Sequence, residues 1–218
     1  MKRRALLVVL LAMRTQTADA AQSLFEPAQR GDVATLRRLL AAGAAVNQRD
    51  ARGRTAALAA TQAGHAQAAT LLIRHGADVN AQDDIRDSVF LLAGARGHTD
   101  IVRAAIAAGA DLKSTNRYGG TALIPACHYG HVDTVRVLLE AGVAVDHVNN
   151  LGWTALLEAV ILGDGGPAHT AIVRLLIGHR ANVDLADRDG VTALAHAERR
   201  GFRAIAGLLR AAGARPTP

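Results

Sequence analysis

Nine histidines and one cysteine are the side chains of this 218-residue chain best suited to metal ligation or nucleophilic chemistry. Their spacing argues against both. His65, His98, His131 and His169 share one slot of a periodic pattern, just after a glycine turn. Metal sites draw their ligands together into one cluster, whereas these residues stand a full period apart, which suits a structural role at the turn. His128 and His147 are singletons. Cys127 has no partner for an internal disulfide and fills a slot held elsewhere by Thr61, Gly94 and Val160, so it is read as a small buried apolar residue. The run Gly163-Asp164-Gly165-Gly166-Pro167 lacks the Lys-Ser/Thr ending of a phosphate-binding loop and follows no strand; it is expected to lengthen a turn. There is no nucleophile elbow, no Cys-His cluster and no isolated carboxylate pair in a credible pocket. The expectation is a protein with no catalytic residue, no metal and no cofactor, and not an enzyme.

The elements that carry these residues repeat. Gly31, Gly64, Gly97, Gly130 and Gly163 fall at one fixed interval, as do Gly43, Gly76, Gly109 and Gly142. The unit is 33 residues long, the mark of a stacked array. Each unit opens with a turn bearing a glycine (Gly53, Gly119, Gly152, Gly190), then a hydroxyl (Thr55, Ser88, Thr121, Thr154, Thr192) placed to cap a short inner helix. A second, outer helix has apolar residues at i, i+3, i+4, as in Val135, Leu138 and Leu139. No unit can bury its apolar face alone, so stacking is required. The expected organisation is a cap at 24–48, repeats at 50–82, 83–115, 116–148 and 149–186, a C-terminal cap at 187–214 and a tail at 215–218. Together these make an all-α solenoid over 21–214, its helix-turn-helix units joined by β-turn or hairpin loops. Arg86 stands where the third unit's turn needs glycine and is expected to distort it. Arg180 replaces the glycine that closes the fifth outer helix, and Gly178 is expected to shift that helix end.

Residues 1–20 are read as a cleavable export signal: a basic start, the apolar run Ala5 to Met13, and Ala18-Asp19-Ala20 before the cut. Nine apolar residues fall short of the roughly 20 that span a bilayer, so no membrane anchor is expected. The expected compartment is the periplasm. Removing the leader takes four positive charges and one negative from the formal +6, leaving +3. With arginines interspersed among aspartates and no basic run laced with aromatics, nucleic-acid binding is not expected.

The in-phase copies, among them GHAQAATLLIRHGADVNAQD (64–83) and GHVDTVRVLLEAGVAVD (130–146), resemble ankyrin repeats over about residues 24–214. The family's Thr-Pro-Leu-His start is altered to Thr-Ala-Ala-Leu at 55–58, Thr-Ala-Leu-Ile at 121–124 and Thr-Ala-Leu-Leu at 154–157, with the cap hydroxyl retained. The stretch 158–202 is similar to a subgroup of exported or periplasmic bacterial ankyrin proteins, some of them catalase-associated. The resemblance implies a monomeric interaction scaffold for another protein, such as a periplasmic enzyme in oxidative-stress defence. The alternative is an inhibitor or immunity-type protein that occludes an enzyme or toxin.

Family contact positions are the turn tips and the exposed side of the inner helices. In the fourth and fifth repeats they include Arg117, Tyr118, His128, Tyr129, Leu151, Trp153, Ile161 and Leu162. The chain has one Trp, two Tyr and three Phe, and half of these aromatics fall on this patch. Tyr and Trp are favoured anchors of protein contacts. These eight residues are the expected partner-binding surface.

Overall fold

The computed structural model describes residues 23–215; the expected export signal and most of the expected tail lie outside them. Among the described residues there are twelve α-helices and no strand. They come in six pairs: α1 (Phe25–Arg30) with α2 (Val33–Ala41), α3 (Ala56–Gln62) with α4 (Ala66–Arg74), α5 (Val89–Ala95) with α6 (Thr99–Ala107), α7 (Leu123–His128) with α8 (Val132–Glu140), α9 (Ala155–Ile161) with α10 (Pro167–Gly178), and α11 (Ala193–Arg199) with α12 (Arg203–Ala211). The odd-numbered, inner helices pack in one row and the even-numbered, outer helices in another, each against its neighbours only. Isolated bridges at Arg49–Thr55 and Ala186–Thr192 are the sole β pairing among the described residues.

The turns are held by a device that the glycine spacing does not reveal. Asp50, Asp83, Asn116, Asn149 and Asp187 open successive turns. One side-chain oxygen of each accepts from the backbone N–H groups two and four residues on, at 2.9–3.1 Å. This is the Asx turn, which competes well with other local conformations. It holds the third turn to the same shape as the others. Arg86 adopts φ 62° and its N–H reaches the Asp83 carbonyl at 2.9 Å, as Gly53 does to Asp50 at 3.0 Å. The expected distortion is absent. Arg180 likewise takes φ 64°, and α10 ends at the position where the other outer helices end, with no shift at Gly178.

Four of the five predicted caps form: Thr55, Ser88, Thr154 and Thr192 each accept from the N–H three residues on, at 3.2–3.3 Å. Thr121 does not; its hydroxyl is buried without a partner. In the other units the capping residue's carbonyl accepts from the fourth residue on, as Ala59 N–H to Thr55 and Glu158 N–H to Thr154, both at 2.9 Å. In the fourth repeat that residue is Pro125, which has no N–H. The Thr121 carbonyl takes Ile124 N–H instead at 3.3 Å, and α7 starts late. Thr154→Val should therefore cost about 1 kcal/mol and Thr121→Val nearly nothing; urea denaturation of the two variants checks the contrast.

The five-residue insertion adds a turn of helix. Gly166 takes the cap position, Pro167 the first helical one, and α10 runs for 12 residues where the outer helices of the preceding repeats run for 9.

Bonds between units recur along the stack. At the tips, Asp84 N–H reaches the Arg52 carbonyl at 3.1 Å and Asn150 N–H the Tyr118 carbonyl at 2.9 Å. At the far ends of the outer helices, Asn47 bridges Gly76 and Asp78, and Asn80 bridges Gly109 and Asp111, at 2.8–3.0 Å. Asp146 and Asp184 accept in the same way from Asn182 at 3.0 Å and Arg215 at 2.9 Å. Between the third and fourth repeats both kinds are missing. Lys113 occupies the Asn slot with no such bond, and Arg117 N–H makes none to the Ile85 carbonyl.

Candidate partner-binding groove

Each large side chain at the tips is set by the local turn. The Asn116 Asx turn projects Tyr118, and the Asn149 turn projects Leu151. Tyr129 and Leu162 take the C-cap positions of α7 and α9, where side chains leave the helix row. The four are exposed by 54%, 47%, 60% and 42% respectively, large values for bulky apolar groups. They line one groove of about 860 Å³ that runs over the third, fourth and fifth repeats.

Of the eight expected residues, the structure brings six to this groove: Arg117, Tyr118, His128, Tyr129, Leu151 and Leu162. Trp153 and Ile161 are not in its lining; both are half-buried against the core. The residue ahead of a helix cap lies back over the first turn. Trp153 is in that slot, as is Arg54, which is buried. The insertion leaves Leu162 uncovered.

Ring and ion contacts order the walls. His128 and Tyr129 stack with centroids 4.2 Å apart and planes 11° from parallel. The Arg117 guanidinium sits 4.8 Å over the Tyr118 ring and 3.6 Å from an Asp87 oxygen. Burial lowers the pKa of His98, His128 and His131, with a hydrogen bond from the ring to the Ala95 carbonyl partly opposing it at His131. Burial thus favours the uncharged form of these rings. Burial raises the Asp87 carboxyl, against the pull of Arg117, and raises Glu158, against a hydrogen bond from Asn149. Cys127 lies on the same helix but is fully buried, and burial pushes its thiol well up, so it offers no nucleophile.

Of the repeat-slot histidines, His65 and His169 reach back to the preceding unit, to the Gln29 carbonyl at 3.0 Å and the His128 carbonyl at 2.8 Å. Among the described residues no group of three or more His, Cys, Asp or Glu is placed to hold a metal ion, and no helix is long and apolar enough to cross a membrane.

Glu158 was missed by sequence reasoning, which looked for acids in pairs. It projects from α9 with 7% exposure and lines the groove. Its slot holds Ala59, Leu92, Pro125 and His196 in the other units, so a lone acid there was a visible departure. A second depression, about 850 Å³ between α2, α4 and α6, carries Arg37, Arg74 and Arg103 over a floor of alanines and contains none of the expected residues.

A family model described as Ankyrin repeats (3 copies) matches residues 6–83 and 90–166, and an Ankyrin repeat model matches 151–188. The chain is similar to the putative ankyrin repeat protein YahD of Escherichia coli K12, 53% identical over 57 residues; the match spans 26% of this chain and 28% of that relative. Among solved structures it is similar to an ankyrin repeat domain from Acinetobacter baumannii AYE (54% identity, TM-score 0.85, covering 88% of this chain and 98% of that one). It is also similar to the ankyrin repeat protein EF0377 (38% identity, TM-score 0.82, 86% and 96% covered). The ankyrin repeat domain of Bcl-3, a member of the IkappaB family, matches at 27% identity and TM-score 0.76, with 88% and 86% covered.

Proposed function

The chain belongs to the ankyrin-repeat family, and from that premise we propose that it is an exported, monomeric scaffold that docks one protein in the groove over its third to fifth repeats. Ankyrin repeats serve protein–protein interaction and are generally not enzymes. The observation that carries the choice of surface is convergence. Six large hydrophobic residues are exposed among the described residues, and four of them (Tyr118, Tyr129, Leu151 and Leu162) line this one groove. Contiguous exposed apolar surface marks contact sites. The basic start and apolar run of residues 1–13 support export to the periplasm, where the partner would be an enzyme, one of oxidative-stress defence in keeping with the resembled subgroup.

A photoreactive residue placed at Tyr129 in the cell should give a discrete adduct in the periplasmic fraction, and one at exposed Arg136 on α8 should give none. Tyr129→Ala should weaken binding of the crosslinked protein by about 2 kcal/mol, roughly 30-fold, with the melting temperature kept. Equal crosslinking from both positions would refute the groove. The captured enzyme's activity with and without the scaffold separates a helper, which raises it, from an occluding inhibitor, which lowers it.

A further inference from the structure

We propose that Glu158 recognises a cationic side chain, a lysine or arginine, on the polypeptide that docks in the groove. This rests on the docking reading above and names the chemistry of what enters. A charge taken out of water is costly unless paired. Two other acids at this level follow that rule, whereas Asp83 is met by backbone N–H groups alone. Asp50 meets Arg54 at 2.6 Å and Asp187 meets His196 at 2.7 Å, each within its own repeat. Glu158 has only half of such a setting. Its Oε1 accepts from Asn149 Nδ2 at 2.9 Å. Its Oε2 faces His128 Nδ1 at 3.7 Å, beyond hydrogen-bond reach, and burial disfavours the charged form of that ring.

No lysine or arginine of the described residues lies within ion-pair distance of Glu158. Arg117, on the same groove, is engaged with Asp87 and with the Tyr118 ring. Arg96 lines the groove from an exposed position. The floor therefore presents a carboxylate oxygen without a cation, among walls that include Tyr118 and Tyr129. Carboxylate and aromatic faces together are the chemistry that selects an ammonium or guanidinium group. A docked anion would meet the buried charge and be repelled.

The test uses the full-length chain, immobilised, to select from a displayed library of random linear peptides at neutral pH. Groove binders are defined as those lost on Tyr129→Ala. The expected result is that they share a lysine or arginine. A synthetic copy should lose about tenfold or more in affinity, by titration calorimetry, with Glu158→Gln. Replacing its basic residue by norleucine should cause the same loss in the unaltered chain, and the two changes together should cost little more than either alone. Groove binders without a basic residue, or with affinities unmoved by these changes, overturn the cation site and leave docking intact. Failure to select any groove-dependent peptide overturns both. The norleucine arm decides the matter even if Glu158→Gln impairs folding.

Discussion

Phe90→Ala is expected to destabilise the array by about 3–5 kcal/mol. Phe90 is fully buried on α5 and heads the largest buried side chains among the described residues. Its slot holds Ala57, Leu123, Leu156 and Leu194 in the other units, so a small residue already lies on one side. Four residues on, Gly94 lets the same helix close on its neighbour: a Cβ there would lie 2.8 Å from that of Ala122. Packing so tight leaves little room for collapse around a void, which is the condition for a cost at the upper end. Each unit touches only its neighbours, so damage in the third repeat also uncouples the units on either side. Urea denaturation should show a lower midpoint and a broader transition that splits into two. A loss below about 1 kcal/mol would contradict the packing described.

The second large effect is expected at the start of the insertion. Gly163 is buried, and a Cβ there would collide with the Ala159 carbonyl oxygen and the His169 ring. That ring has no freedom to give way. Its Nδ1 is 2.7 Å from Asp164 Oδ1 and its Nε2 is 2.8 Å from the His128 carbonyl of the preceding repeat. Gly163→Val should cost about 3 kcal/mol, because the Ala159 carbonyl is backbone and the ring can yield only by leaving both partners. Thermal denaturation checks it, with His169→Ala in the same background as the diagnostic. If the ring is the obstacle, the two losses together should be clearly less than their sum.

The repeat, its capping hydroxyls and its outer-helix stripes were legible because each depends on residues close in sequence and recurs in phase. The exceptions have local causes that sequence could in principle disclose. The failed cap at Thr121 follows from one missing N–H at Pro125. The extra turn of α10 follows from a Gly-Pro start already written at 166–167. The turns at Arg86 and Arg180 went the other way. A left-handed residue other than glycine costs roughly 1–2 kcal/mol, and the Asx turn and helix closure around these arginines outweigh that. The candidate surface was legible in residue type but not in depth. The pattern gave Trp153 and Leu151 equal standing, and only packing separates the half-buried indole from the exposed leucine. Glu158 was invisible to a search for paired acids, because its importance lies in the pair it lacks.

The missing bonds between the third and fourth repeats have a mechanical consequence. In a linear stack every junction carries the same load, and this one relies less on hydrogen bonds than on packing, with Gly94 closed onto Ala122. What remains across it includes the Arg117–Asp87 contact at 3.6 Å and a 2.7 Å bond between the Thr99 and Thr134 hydroxyls. The first of these spans the groove's own wall. Flexure at this junction would change the spacing between Asp87 and Tyr118, and with it the width of the candidate groove.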